Sequence, residues 1–254
     1  MIADPLFYVL AVPAILMTGI SKSGFGGALG GLSVPLLALA IAPDVAAAIM
    51  LPILCAMDVI GLRYFAGQLD WRNLRIILPG ALMGIVLGTL CFGLLNVNWL
   101  LLLVGVIGVG FPLLNWSGLA RREVAAAASV PKGLLWSALA GFTSFICHLG
   151  GPPLLVYLLP QRLERQVFVG TTVVFFLVVN YVKLVPYYFL GQLVVTNVTT
   201  SLVLLPLAPL GIYIGVKLNQ RFSNEAVYRL ANVFLFATGV KLIYDGVTKL
   251  QLIA

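Results

Sequence analysis

Charged side chains are scarce in this sequence: they make up 9% of its 254 residues, whereas 61% are hydrophobic. A soluble domain carries about a quarter charged residues. Apolar runs of about 18 residues or more recur along the chain, and a run of that length predicts a transmembrane helix. The composition therefore excludes an ordinary soluble protein and predicts an all-α integral membrane protein of the multi-pass type.

The sequence also lacks the groups on which most enzymes depend. It has one histidine, and its three cysteines lie in apolar sequence without metal-ligand spacing. No G-x-x-x-x-G-K-S/T nucleotide-binding loop occurs. These absences argue against an enzyme, a metal site or a cofactor. They also predict that any transport is driven by a gradient and not by ATP.

Basic residues give the chain a formal net charge of +7, but they are scattered through short loops. They form no stripe interleaved with aromatic residues, so they predict membrane orientation and no nucleic-acid binding. The N-terminal apolar run has no basic segment before it, and Asp4 is its only charge. We therefore expect no cleaved signal peptide.

Residues 19–35 interrupt the apolar sequence with glycines and with the triplet Ser21, Lys22 and Ser23. Inside hydrocarbon every backbone polar group must be satisfied, so such a break survives only when buried in protein or lining a wet cavity. A lysine at that depth costs several kcal/mol. The alternative is a glycine-rich loop between two ordinary spans, with Lys22 reaching the membrane surface.

The second half of the chain repeats the first. The motif Tyr-Phe-x-Gly-Gln-Leu at residues 64–69, followed by Asn73, returns at residues 188–193, followed by Asn197. Two further matches occur in the same order: Pro79, Gly84 and Gly88 with Pro206, Gly211 and Gly215, and residues 30–37 with residues 150–155. Three matches at nearly constant spacing predict a duplication.

The charges of the loops predict that the two copies are inverted. The loop at residues 63–75 carries three arginines and is predicted to be cytoplasmic, whereas its counterpart at 189–197 carries no basic residue. Inversion requires an odd number of crossings in each copy. Besides three transmembrane helices, each copy should therefore contain a helical hairpin, at residues 6–42 and 132–160, that is either re-entrant or made of two short spans.

This scheme divides the membrane domain into a first repeat at residues 1–118 and a second repeat at 132–254. A cytoplasmic linker at 119–131 joins them. The short arms expected for the second hairpin, 132–144 and 152–160, would rise only about 20 and 14 Å, too little to cross about 30 Å of hydrocarbon. Both termini are predicted to lie outside the cell.

The Ser-Lys-Ser segment, the repeated Tyr-Phe-x-Gly-Gln-Leu loops and the duplicated halves resemble the TauE/SafE sulfite-exporter family of membrane proteins. The resemblance covers essentially the whole chain. It implies a secondary transporter of sulfite, sulfonates or related sulfur oxyanions in the cell membrane. It provides no residue roles, so the roles below come from this sequence.

In each break a half-helix is expected to begin inside the membrane, one just after Gly24 and the other near Pro152 and Pro153. A helix N-terminus presents free N–H groups and about half a positive charge, which suits an anion. Inverted-repeat transporters hold substrate between such broken helices at the midplane. The predicted substrate-binding residues are Ser21, Lys22, Ser23, Gly24, Gly27, Thr143, Ser144, His148, Gly150 and Gly151. The alternative is that these small residues serve only tight helix packing.

His148, at the predicted tip of the second hairpin, is either a hydrogen-bond donor to the anion, a proton carrier, or a side chain bonded to a loose carbonyl. Three further residues are candidates for coupling to protons or ions: Asp58, Asn180 and Lys183.

Asp58 is interpreted first as a near-surface aspartate paired with Arg63 or Arg75, and alternatively as a coupling carboxylate or the counter-ion of Lys183. Asn180 and Lys183 share one helix face at i, i+3. Lys183 is expected to reach the outer surface, beside Tyr187 and Tyr188 in the interfacial aromatic belt.

The sequence thus predicts a secondary transporter, acting as an exporter, for a small anion in the inner membrane. It would work by alternating access at a midplane site between the two hairpins. An uncoupled anion channel is the main alternative, with an intramembrane enzyme and a structural subunit behind it. Beyond the small anion and the lipid bilayer, protons or other ions are the expected partners.

Overall fold

The computed structural model describes residues 2, 4–24, 32–65, 67–94, 96–117, 127–218 and 224–250, which form helices joined by turns and include no strand. The helices are α1 (Pro5–Gly24), α2 (Ser33–Leu37), α3 (Pro43–Phe65), α4 (Trp71–Leu94), α5 (Val97–Trp116), α6 (Val130–Cys147), α7 (Gly151–Leu158), α8 (Arg165–Phe189), α9 (Val195–Leu204), α10 (Leu207–Leu218) and α11 (Asn224–Lys249). Most of the predicted linker lies outside the described residues.

Six of the described helices are long and apolar enough to cross a membrane, namely α1, α3, α4, α5, α6 and α8. The pair α9 and α10 would make a seventh span that is bent by 41° at its break. Pro206 lies in this break, where its missing N–H and its ring disfavour a continuous helix. The prediction of an all-α integral membrane protein is confirmed.

Helices α3 and α8 pack against each other at the centre of the protein. α3 is the most buried of the six candidate spans, and it also contacts α1, α2, α5, α6, α9 and α10. The other close pairs are α4 with α6, α1 with α10, and α5 with α11. Residues that both hairpins contribute therefore meet the same central pair of helices.

Two of these pairs depend on glycines that let helix backbones approach closely. A Cβ atom at Gly84 of α4 would lie 2.0 Å from the carbonyl oxygen of Ala138 on α6. A Cβ atom at Gly19 of α1 would lie 2.8 Å from the backbone of Gly211 on α10. Small residues at helix contacts are the usual basis of close packing in membranes.

The second hairpin is longer than predicted. Its first arm, α6, has 18 residues and is a candidate span, so the prediction of an arm at 132–144 that is too short to cross was wrong. Its return arm, α7, has 8 residues and would rise only about 12 Å. α6 continues beyond Ser144 and packs on α4 along its length, from Leu134 against Gly80 to Phe145 against Gly88.

In the first hairpin, the predicted start of a half-helix just after Gly24 lies outside the described residues. Residues 21–24 form the last turn of α1, and the next helix in the described part of the chain begins at Ser33. The helix continues through this polar stretch because the Ser23 hydroxyl donates to the Gly19 carbonyl oxygen at 2.9 Å. Serine hydroxyls are often satisfied in this way by their own helix.

Candidate substrate and coupling site

A sharp turn at the end of α6 forms the tip of the second hairpin. His148 follows the helix with a φ of 56°, a left-handed conformation that is uncommon for a residue other than glycine. The backbone N–H of Leu149 donates to the Thr143 carbonyl oxygen at 3.3 Å. At Gly150 a Cβ atom would lie 2.7 Å from the Ala140 carbonyl oxygen, so only glycine fits there. The turn thus holds the His148 ring beside the last turn of α6.

Lys183 of α8 lies against this turn and is fully buried. Its ammonium donates to the carbonyl oxygen of Ser144 at 2.9 Å and to the Ser144 hydroxyl oxygen at 3.0 Å. The Nδ1 atom of His148 is 2.8 Å away. All three ammonium protons therefore have an acceptor, and the charge lies at the negative end of the α6 dipole. The prediction that Lys183 reaches the outer surface was wrong because these acceptors hold it inside.

The same contacts assign the protonation of His148. The Nδ1 atom lies 2.8 Å from the Lys183 ammonium, which can only donate, and 3.0 Å from the Ser144 carbonyl oxygen, which can only accept. While Lys183 is charged, Nδ1 therefore accepts from it and carries no proton. The Nε2 atom lies 2.9 Å from the Ala47 carbonyl oxygen, which can only accept. Nε2 therefore carries the proton and donates to α3, and the ring is neutral in this arrangement. His148 thus links α3, α6 and α8.

The first hairpin contributes Lys22, whose ammonium forms an ion pair with Asp58 of α3. Asn180 of α8 donates its amide to the second carboxylate oxygen of Asp58 at 2.6 Å. The exposed fraction of the residue is 9% for Lys22 and 2% for Asp58. Both of Asp58's oxygens are thus bound inside the protein, and Lys22 does not reach the surface.

This pairing corrects the partners that were expected for Asp58, while its role as a coupling carboxylate stays a prediction. Arg63 and Arg75, its expected partners, are both exposed. Lys183, the alternative counter-ion, is bound to the end of α6. The position of Asp58 one turn from a basic loop suggested a surface pair, but the face of α3 that carries it points toward α1 and α8.

We call Lys22, Asp58, Ser144, His148, Asn180 and Lys183 the charge cluster. One face of α8 carries Phe176, Asn180, Lys183 and Tyr187 at the spacing i, i+4, i+7 and i+11, so that helix joins both parts of the cluster. The Lys22 ammonium lies 5.5 Å from the centre of the Phe176 ring, and Tyr187 donates its hydroxyl to the Phe145 carbonyl oxygen at 2.7 Å.

Phe176 and Tyr187 were not recognised as site residues from the sequence, although the spacing on α8 could have indicated both. Tyr187 was expected in the interfacial belt, and this was wrong because it is fully buried. Tyr188, by contrast, is 70% exposed, as expected for the belt. Adjacent residues on a helix point about 100° apart, so Tyr187 and Tyr188 face different surroundings although they are neighbours in the sequence.

The remaining predicted substrate-binding residues lie around the cluster. Ser21 is fully buried near the end of α1, while Ser23 faces α10, where a Cβ at Gly215 would come within 2.1 Å of its hydroxyl. The Thr143 hydroxyl lies 3.0 Å from the Leu149 carbonyl oxygen and supports the turn. Gly24 ends α1, Gly151 begins α7, and Gly27 lies outside the described residues.

Chemically, the charge cluster combines two ammonium groups, one carboxylate and a neutral imidazole. Such a set can bind an anion and can take up a proton on the carboxylate or the imidazole. Within the residues that the structure describes, no group of three or more histidine, cysteine, aspartate or glutamate side chains could hold a metal ion.

Comparisons with known proteins agree with this membrane architecture. The model of the family described as "Sulfite exporter TauE/SafE" matches residues 11–242. A curated relative, "Probable inner membrane transporter protein TsaS" of Comamonas testosteroni, is 29% identical over 182 residues, which cover 69% of this chain and 73% of the relative. No solved structure matches. Because the family match extends over nearly the whole chain, this protein belongs to the TauE/SafE sulfite exporter family.

Proposed function

We propose that this chain is a secondary transporter that exports a small anion of the sulfur-oxyanion class, such as sulfite or a sulfonate, across the inner membrane. Membership of the sulfite exporter family supports a transporter of this class. The name of the TsaS relative supports the inner membrane as its location. The absence of a nucleotide-binding loop from the sequence supports a gradient as the driving force.

The observation that carries the proposal is the imbalance of buried charge. Among the described residues, the buried lysines are Lys22 and Lys183, while the single buried carboxylate is Asp58. A buried charge without a partner costs several kcal/mol. The two lysines thus outnumber the carboxylate, and this excess of positive charge favours anions over cations and neutral solutes.

The arrangement of helices supports alternating access at this site. The first hairpin contributes Lys22, the second contributes Ser144 and His148, and the central helices α3 and α8 lie between them. The contact of α4 with α6 has a counterpart in the contact of α10 with α1, as two related halves would produce. Movement of one hairpin against the central helices would open the cluster first to one side and then to the other.

The proposal is tested by counterflow in proteoliposomes. Vesicles loaded with unlabelled sulfite should accumulate radiolabelled sulfite transiently, and the initial rate should saturate. Lys183→Met should lower the rate at least tenfold, because a hydrogen bond from a charged group contributes about 1.5–3 kcal/mol.

The matched control is Lys241→Met, which removes a lysine that is exposed and paired with Asp245 in the next turn. It should leave counterflow unchanged. Sulfite flux without saturation or counterflow would favour the channel alternative. Equal rates in Lys183→Met and the wild type would remove the charge cluster from the transport path.

A further inference from the structure

The carboxylate of Asp58 is bound as a substrate anion would be. One oxygen receives the Lys22 ammonium, and the other receives the Asn180 amide at 2.6 Å. A sulfonate or sulfite group likewise presents several oxygens on one centre, and it would use one charged and one neutral donor in the same way. Asp58 and an oxyanion therefore compete for the same donors.

We propose that the Asp58 carboxylate occupies the position of the substrate anion beside Lys22 and Asn180 when no substrate is bound. When the substrate anion binds, Asp58 is protonated and displaced. This inference rests on the proposed function, since it concerns the same site. In the exchange, one carboxylate oxygen of Asp58 gains a proton from water. The ion pair with Lys22 breaks, and the oxygens of the incoming anion accept from Lys22 and Asn180.

Electrostatics favours this exchange. Two negative groups beside one lysine repel each other, and the repulsion is strong where water is excluded. With Asp58 ionised, two lysines and one carboxylate leave one positive charge in the cluster. When a monovalent anion enters and Asp58 takes up a proton, one positive charge again remains. The buried charge is thus the same in both states only if anion and proton enter together.

The other groups around Asp58 do not offer an equivalent proton site. Besides Lys22 from α1, Lys183 approaches from α8, and Cys55 lies one turn away on α3. His148, in the turn after α6, lies against Ala47 nearer the start of α3. His148 already accepts from Lys183 through Nδ1, and the neighbouring ammonium opposes a second proton on the ring.

The remaining helices that contact α3 bring no competing charge. α2, α5 and α9 carry no charged residue at all. Lys217, the one charged residue of α10, is exposed, and its ammonium lies 4.4 Å from the centre of the Tyr213 ring. Asp58 is therefore the acidic group that holds the donors, Lys22 and Asn180, which an incoming anion would need.

The test is the number of protons taken up when an anion binds to the purified full-length protein. Methanesulfonate is the probe, because its own charge does not change between mildly acidic and mildly basic pH. Proton uptake is followed with a pH indicator in weak buffer, and affinity by calorimetry at several pH values. The wild type should take up about one proton per anion, and its affinity should fall about tenfold per pH unit on the alkaline side.

Asp58→Asn should bind methanesulfonate without proton uptake and with an affinity that does not depend on pH. Asp245→Asn, which alters the exposed pair with Lys241, should behave as the wild type. Asp58→Ser replaces Asp58→Asn if the latter does not fold. Wild-type binding without proton uptake, or uptake that persists in the Asp58 variants, would overturn the inference and leave anion transport standing. Absence of binding at every pH would overturn both.

Discussion

The two hairpins bring opposite chemistry to the same pair of central helices. The first contributes a cation, Lys22, which meets the carboxylate of Asp58 on α3. The second contributes only acceptors, at Ser144 and His148, which receive the cation Lys183 from α8. The first hairpin thus supplies an ammonium group to the cluster, whereas the second supplies acceptors that bind one.

The contacts of two glycines that the sequence repeat aligns show that Ser144 and Lys22 occupy corresponding positions in the two hairpins. Gly84 and Gly211, which the sequence repeat aligns, contact Ala138 of α6 and Leu16 of α1, respectively. Ser144 follows Ala138 by six residues, and Lys22 follows Leu16 by the same number. Positions that the aligned glycines relate therefore carry Lys22 in one half and Ser144, an acceptor of Lys183, in the other. If the halves are duplicated as predicted, they keep a common geometry while their chemistry differs.

The largest effect is expected from a substitution that disrupts the turn at the tip of the second hairpin. In Gly150→Val the new side chain would lie against the Ala140 carbonyl and Ser144, so the turn should open and His148 should leave Lys183. We expect sulfite counterflow to fall below detection while the protein still inserts. The control is Gly110→Val on α5, where a Cβ atom meets nothing within 4 Å. Normal transport by Gly150→Val would show that the tip is not part of the site.

A second prediction separates the two lysines by their effect on stability. Lys22→Met leaves Asp58 buried without its counter-ion and should destabilise the protein by about 3–5 kcal/mol. The double variant Lys22→Met/Asp58→Asn should recover most of this loss, measured by thermal unfolding in detergent. Asp58→Asn should not rescue Lys183→Met, because Lys183 is bound by the end of α6 and not by the carboxylate. Equal rescue of both would mean that the two lysines share one counter-ion.

The smallest effect is expected from removing one of the acceptors that the second hairpin offers to Lys183. Ser144→Ala removes one of three acceptors of Lys183 and should weaken methanesulfonate binding by about fivefold to tenfold, in line with about 1 kcal/mol for one hydrogen bond. Ser23→Ala is the matched control, since this hydroxyl bonds to its own helix and packs on α10. A loss of the same size in both would indicate a general packing effect.

Much of this architecture was predictable from the sequence. Composition predicted the all-α membrane protein, and the motifs indicated the family, both of which are confirmed. Every member of the charge cluster was named in advance as a substrate or coupling candidate, because polar and ionisable residues inside apolar sequence are rare and conspicuous. The inverted arrangement of the two halves remains a prediction, which the paired helix contacts support.

The partners of these residues were not predictable. Helical spacing reports which residues share a face, but it does not report which neighbouring helix that face meets. Asp58 and Lys183 were both assigned to the surface from their distance to a loop, whereas contacts from α1 and α6 hold them inside. Residues 21–24, which the sequence assigned to the break, form the last turn of α1. Glycine and serine disfavour helices in water, but tight packing in a membrane accommodates them.

The central claim is that the buried charge cluster holds the transported anion. The most direct test is a structure of the purified protein with selenite, a heavier analogue of sulfite whose selenium can be located by anomalous scattering. The account predicts a selenium peak within about 4 Å of the Lys22 ammonium, with Asp58 turned away from it. A selenium peak only at the exposed lysines, such as Lys217 or Lys241, with the Lys22–Asp58 pair intact, would contradict it.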